Sequence, residues 1–168
     1  DFDAYTTFAL SAYIGMTRTE INEYMRPFVT KVIEPMINTL ALKIIHDHGD
    51  SGDTILLASA TNELIVQPIA KRLDIQNVIG TQVKFINDKC TGEYIPPSAL
   101  GEGKLQLVQQ WMQKNNFDDF SGVTFYSDSI NDLPLLEAVD FPKAVNPDAM
   151  LEKISLERGW EIIDLPIL

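Results

Sequence analysis

Residues 123–136 join an apolar run (Val123, Phe125, Tyr126) to a hydrophilic block, Ser127-Asp128-Ser129-Ile130-Asn131-Asp132, and then to a leucine-rich stretch. Apolar residues without alternation predict a strand buried on both faces, as in a parallel sheet. The spacing of Leu133, Leu136 and Val139 predicts an amphipathic helix from about Ile130. Asp128 then stands at the carboxyl end of a strand and Asp132 in the first turn of the following helix, where open α/β sheets bind ligands. Two carboxylates this close repel, and a hard divalent cation with oxygen ligands, Mg²⁺, relieves the repulsion. The competing reading makes Asp132 a helix cap and Asp128 a loop acid, because D-x-x-x-D alone is common.

The same strand-to-helix pattern occurs earlier. Thr54–Ala58 is an apolar strand, followed by Ser59-Ala60-Thr61-Asn62 and a helix through Leu64, Ile65, Ile69 and Leu73. Backbone N–H groups at such a helix start bind anions, and Ser59 and Thr61 add hydroxyls. Either hydroxyl can also be a simple N-cap. Gly101-Glu102-Gly103-Lys104 opens a helix carrying Leu105, Val108, Trp111 and Met112. A cation is disfavoured in a first helical turn, so Lys104 points to an anionic partner; a snorkelling surface lysine is the alternative.

Between these units, Val78-Ile79 and Val83–Phe85 read as short strands. Asn87-Asp88 reads as a turn and Thr91–Tyr94 as the return strand of a hairpin containing Cys90, a small filler. After the opening stretch, Ala144-Val145 predicts a strand, Pro147 starts a helix with Met150, Leu151 and Ile154, and Trp160–Asp164 predicts a last strand. Repeated βα units favour a three-layer α/β fold with a mostly parallel sheet.

The first fifty residues are helical in pattern. Phe2, Tyr5, Phe8, Ala9, Ala12 and Tyr13 recur at helical spacing, and Gly15 ends the run. Thr17 and Glu20 have capping-box spacing ahead of Ile21 and Tyr24. Pro27 breaks or kinks that helix, and Pro35 suits the first turn of a third, closed by Gly49. His46 and His48 diverge on a helix and read as exposed residues at its negative end; Arg18, Glu20 and Arg26 read as solvated charges.

A net charge of −11 argues against a nucleic-acid partner. No run approaches the roughly 20 apolar residues of a membrane span, so no membrane association is expected. A single cysteine excludes an internal disulfide framework and fits a reducing cytoplasm.

Ser59 after an apolar strand, Lys104 at a helix start and Ser127-Asp128-Ser129-Ile130-Asn131-Asp132 after another strand, in that order, resemble the haloacid dehalogenase-like hydrolases. Within them the chain is similar to the phosphoserine-phosphatase-like branch, including a bacterial subgroup with Ala144-Val145-Asn146-Pro147-Asp148 and a closing Arg158-Gly159-Trp160. Some members of that subgroup are histidinol-phosphate or phosphoserine phosphatases. The resemblance covers essentially the whole chain. It implies a Rossmann-like core over 31–168 and part of a helical cap over 1–30. It also implies a Mg²⁺-dependent phosphatase acting on a small phosphorylated metabolite. Ser59, with the Ala60 and Thr61 segment, becomes the phosphate-binding hydroxyl, and Lys104 the phosphate-neutralising cation. Asp128 becomes the metal carboxylate. Asp132 helps hold the metal shell or orients Lys104, and Asn131 hydrogen-bonds near phosphate and metal.

The family also carries an Asp-x-Asp at the end of its first, central strand. The first Asp attacks phosphorus to form an aspartyl-phosphate, and the second acts as general acid and base. Asp1-Phe2-Asp3 fits poorly: no apolar strand precedes it, Tyr5 stands at the fifth position, and the surrounding residues have helical periodicity. The expectation is a fragment lacking that strand and nucleophile. Its sheet would hold unpaired edges, leaving it poorly stable or paired with another chain. Phosphoryl transfer to an acceptor other than water and a non-catalytic phosphate-binding or interaction module are the alternatives. A receiver-like fold, lacking the cap and hairpin, is disfavoured.

Overall fold

The computed structural model describes residues 2–166, and the chain divides into two compact units, Asp1–Ala99 and Leu100–Leu168. The boundary expected near residue 30 falls inside the first of them.

The first unit begins with α1 (Phe2–Ser11) and α2 (Arg18–Phe28). The capping box forms as expected: Thr17 Oγ1 accepts from the Glu20 N–H while the Glu20 carboxylate accepts from the Thr17 N–H. The buried stripes differ from the periodicity. Thr6, Leu10 and Tyr13 are inside on the first helical stretch and Ile21 and Met25 on α2, whereas Tyr5, Phe8 and Tyr24 face outward. Pro27 is absorbed in the last turn of α2. Its missing N–H leaves the carbonyl four residues earlier without a helical partner, and the chain runs on as a π turn (Val29–Ile33) and a 3-10 turn (Glu34–Met36). The third helix, α3 (Thr39–Asp50), therefore starts later than Pro35 predicts. Asn38 caps it, its side-chain oxygen accepting from the N–H groups of Leu40 and Ala41.

Strand β1 (Leu56–Asn62) leads into α4 (Glu63–Arg72) and pairs in parallel with β2 (Asn77–Ile86), which pairs antiparallel with β3 (Lys89–Ile95). What reads as two short strands at 78–79 and 83–85 is one strand serving two partners. The tip of the hairpin is Asn87 and Asp88, with φ of 50° and 61°, the left-handed pair that suits a tight hairpin. Leu10, Tyr13, Ile21, Met25, Leu64, Val83 and Cys90 form this unit's core. Each large aliphatic side chain so buried contributes about 1.5–3 kcal/mol. Backbone bonds from Gly15 N–H to the Cys90 carbonyl and from Cys90 N–H to the Met16 carbonyl tie the α1–α2 turn to β3.

The second unit holds α5 (Glu102–Lys114), β4 (Thr124–Ser127), α6 (Leu133–Ala138), β5 (Phe141–Val145), α7 (Ala149–Arg158) and β6 (Glu161–Ile163). Its sheet is all parallel, in the order β4-β5-β6, and Leu136, Ala144 and Leu151 are fully buried against it. The helix expected from Ile130 starts at Leu133, because Ile130–Asp132 wind as a 3-10 turn. The helix expected from Pro147 is capped one residue later, by Asp148. Among the described residues no helix is long and apolar enough to cross a membrane.

One irregularity falls on the segment expected to bind phosphate. Ala58 pairs with Ile79, but the next register partners are Asn62 and Thr81, so Ser59-Ala60-Thr61 bulge out of the ladder instead of following the strand as a loop. Gly80 makes the bulge possible. A Cβ there would lie 3.0 Å from the Thr61 carbonyl oxygen and 3.1 Å from Glu63 N and Cα, all backbone atoms. Gly80→Ala is therefore expected to displace residues 61–63 and cost about 1–3 kcal/mol, measured as a lower urea midpoint.

Candidate active site

Gly101, at φ 55°, turns the chain into α5 in a conformation that favours glycine. Two residues into the helix, Lys104 is only 4% exposed. A buried ammonium at the positive end of a helix needs a close anion, and Asp132 supplies it, with Oδ1 2.5 Å from Nζ. The other oxygen of Asp132 accepts a hydrogen bond from the Ser127 hydroxyl at 2.7 Å. Ser127 Oγ in turn accepts from the Ser129 N–H, and Ser129 Oγ from the Asn131 N–H. The loop between β4 and α6 is thus wound around the carboxylate that holds the lysine.

Asp128 and Asn131 lie on the exposed side of this loop. Among the described residues the Asp128 carboxylate has no hydrogen-bond or ion-pair partner, so its oxygens are available to a ligand. Asp132, expected to help hold the metal shell or to orient Lys104, has a protein partner on each oxygen, Lys104 on Oδ1 and Ser127 on Oδ2. No group of three or more His, Cys, Asp or Glu side chains that could hold a metal occurs among the described residues. One open carboxylate still fits Mg²⁺, which keeps several waters and takes one or two carboxylates plus substrate phosphate oxygens. Asp128 would hold it.

Sequence reasoning missed Ser127 and Asp148. Asp148 caps α7 and also accepts from the Ile130 N–H at 2.7 Å. That bond first, then the one from Leu151 and, least, the one from Met150, hold its carboxyl below the ordinary range against an opposing desolvation. An Asp two residues ahead of Met150 signals the cap, but nothing in the sequence signals the bond across to Ile130.

The first unit carries Ser59, Ala60 and Thr61 on the bulge. Ser59 Oγ accepts from the Thr61 N–H at 3.2 Å, and the Ala60 carbonyl accepts from the buried Thr81 hydroxyl at 2.7 Å. Thr81 Oγ1 also accepts from the Ala99 N–H. Glu63 braces the following turn, its carboxylate accepting from the Val83 N–H and pairing with Arg18. Arg18 lies over the Phe85 ring at 4.0 Å, so it packs as well as being solvated, while Arg26 pairs with Glu23 at the surface. His48 meets Asp53 at 2.7 Å, with His46 exposed. Asp3 lies on α1, where its carboxylate accepts from the Tyr94 hydroxyl; Asp1 lies outside the described residues.

The second unit thus holds a buried lysine neutralised by a carboxylate and an open carboxylate at a strand end, and the first unit holds a hydroxyl-bearing bulge at a helix start. The model of the haloacid dehalogenase-like hydrolase family matches residues 1–137, and the chain belongs to that family. It is 38% identical to a histidinol-phosphatase of Neisseria meningitidis serogroup C (strain 8013), over 98% of this chain and 75% of that one. Against other curated relatives at about one-third identity the chain spans about half of their length. A solved protein of unknown function from Bordetella pertussis Tohama I superposes with a TM-score of 0.89 at 32% identity, over 98% of this chain and 74% of that one. A phosphoserine phosphatase solved as a phospho-aspartyl intermediate analogue shares the fold, with a TM-score of 0.64 at 14% identity over 99% of this chain and 73% of that one.

Removing one member of the buried pair strands the other. Lys104→Met and Asp132→Leu are each expected to destabilise the chain by about 3–5 kcal/mol, with much of the loss recovered in the double variant. Urea unfolding of all four proteins measures the coupling.

Proposed function

We propose that the chain provides the phosphate- and metal-binding groups of a Mg²⁺-dependent phosphomonoesterase that acts on a small phosphorylated metabolite through an aspartyl-phosphate. The observation that carries this reading is Lys104. An ammonium kept buried, at the end of a helix that disfavours it, is held by a carboxylate that the Ser127 hydroxyl fixes in place. In this reading Lys104 donates to a phosphoryl oxygen and Asp132 fixes its direction. Ser59 donates a hydroxyl and the 60–61 backbone lies beside it, while Asn131 adds a side-chain amide. Asp128 contributes the metal carboxylate. Bound Mg²⁺ would offset charge on the phosphoryl oxygens. The names of the relatives support histidinol phosphate or phosphoserine as the substrate class.

The nucleophile and general acid are assigned to a strand that is not among the described elements. Asp3 is helical, and no described strand ends in Asp-x-Asp. β1 and β4 each lie at an open edge of their sheets, where a further strand could pair. The same observation favours a second reading, a phosphate-binding module without turnover.

Two measurements test these assignments. In calorimetric titration with inorganic phosphate and Mg²⁺, Ser59→Ala, Lys104→Ala and Asp128→Asn should each weaken binding about tenfold or more. Binding that none of the three changes would sink the site. The 168-residue chain should not hydrolyse p-nitrophenyl phosphate; Mg²⁺-dependent hydrolysis that Asp1→Asn abolishes would return the nucleophile to Asp1.

A further inference from the structure

We propose that Asp148 is a positioning residue that fastens the peptides on both sides of Ser129, so that the Asp128 carboxylate stays presented at the end of β4. What Asp128 is presented to rests on the phosphatase reading above. Capping α7 uses only one of its carboxylate oxygens: Oδ1 accepts from the N–H groups of Met150 and Leu151, at 3.0 and 2.9 Å. Oδ2 leaves its own helix and accepts from the Ile130 N–H at 2.7 Å. The Asp148 N–H reaches the same loop, donating to the Asp128 carbonyl at 2.7 Å. One residue therefore holds positions 128 and 130 together.

The turn that carries Asp148 is itself anchored. Asn146, at φ 44°, donates its N–H to the Ile163 carbonyl. Its side-chain amide exchanges hydrogen bonds with the Leu165 backbone at 2.9 and 2.8 Å. Pro147 fixes φ between the two polar residues. The exit of β6 thus grips Asn146, and Asp148 grips the exposed half of the loop whose buried half is held by Ser127 and Asp132. An N-cap alone accounts for the bonds to Met150 and Leu151 but not for the other two. Ligand side chains are commonly oriented by such outer partners, which cost affinity when removed.

Asp148→Ser separates capping from positioning, because serine caps well but its single short hydroxyl cannot also reach Ile130. In the full chain, Asp148→Ser should melt within about 2 °C of the parent. In the same variant the Ile130 amide should exchange with solvent about tenfold faster, and the Mg²⁺ dissociation constant, followed by NMR shifts at 128–131, should rise about tenfold. Asp148→Ala, losing both functions, marks the effect of lost stability. The proposal is overturned if Asp148→Ser leaves Ile130 exchange and Mg²⁺ affinity within about twofold, or if both change only in step with the melting temperature. If Asp128→Asn leaves the Mg²⁺ shifts as they were, the metal reading fails separately, and Ile130 exchange decides the role of Asp148.

Discussion

The buried contact between Lys104 and Asp132 organises the second unit. It joins the first turn of α5 to the loop after β4, two segments distant in sequence, through charges that water would otherwise screen. In the low dielectric between them each charge is tolerable only because the other is present, so neither segment can drift without stranding a charge. The Ser127 hydroxyl completes the arrangement by occupying the second carboxylate oxygen. The result is a lysine whose direction is set before any ligand arrives. Such preorganisation is what an anion site requires, since reorienting dipoles at the moment of reaction would cost free energy.

The first unit solves a related problem with backbone. A hydroxyl at a strand end is useful only if it leaves the ladder, and the bulge at 59–61 does this while Thr81 secures the Ala60 carbonyl. Gly80 allows the bulged strand to approach β2 so closely. Both strands that carry candidate site residues are edge strands of their sheets. Open strand edges are normally covered or paired.

Much of this was legible. The apolar runs before Ser59 and Ser127, the capping box at Thr17, the Asn87-Asp88 turn and the buried Cys90 follow from local chemistry, and each is present. Local rules failed where a second element decided the outcome. Tyr5, Phe8 and Tyr24 fit a helical stripe, yet the stripe that meets β3 and α4 contains Thr6, Leu10, Ile21 and Met25 instead. Periodicity gives the existence of a face, and packing chooses among neighbouring ones. Asn38 rather than Pro35 starts α3 because its side chain satisfies two orphan amides, which proline cannot do.

For the candidate site, the sequence by itself determined the chemical inventory: a hydroxyl and an acid each following an apolar strand, and a lysine at a helix start. Those positions follow from short-range patterns of polarity and turn formation. Only the tertiary structure decided what each group bonds to. It engaged both oxygens of Asp132 and left those of Asp128 open, and it sent the second oxygen of Asp148 to Ile130. The bonds from Lys104 to Asp132 and from Ile130 to Asp148 join residues that are remote in sequence, and their partners are set by how the strands and helices pack, which no local pattern encodes.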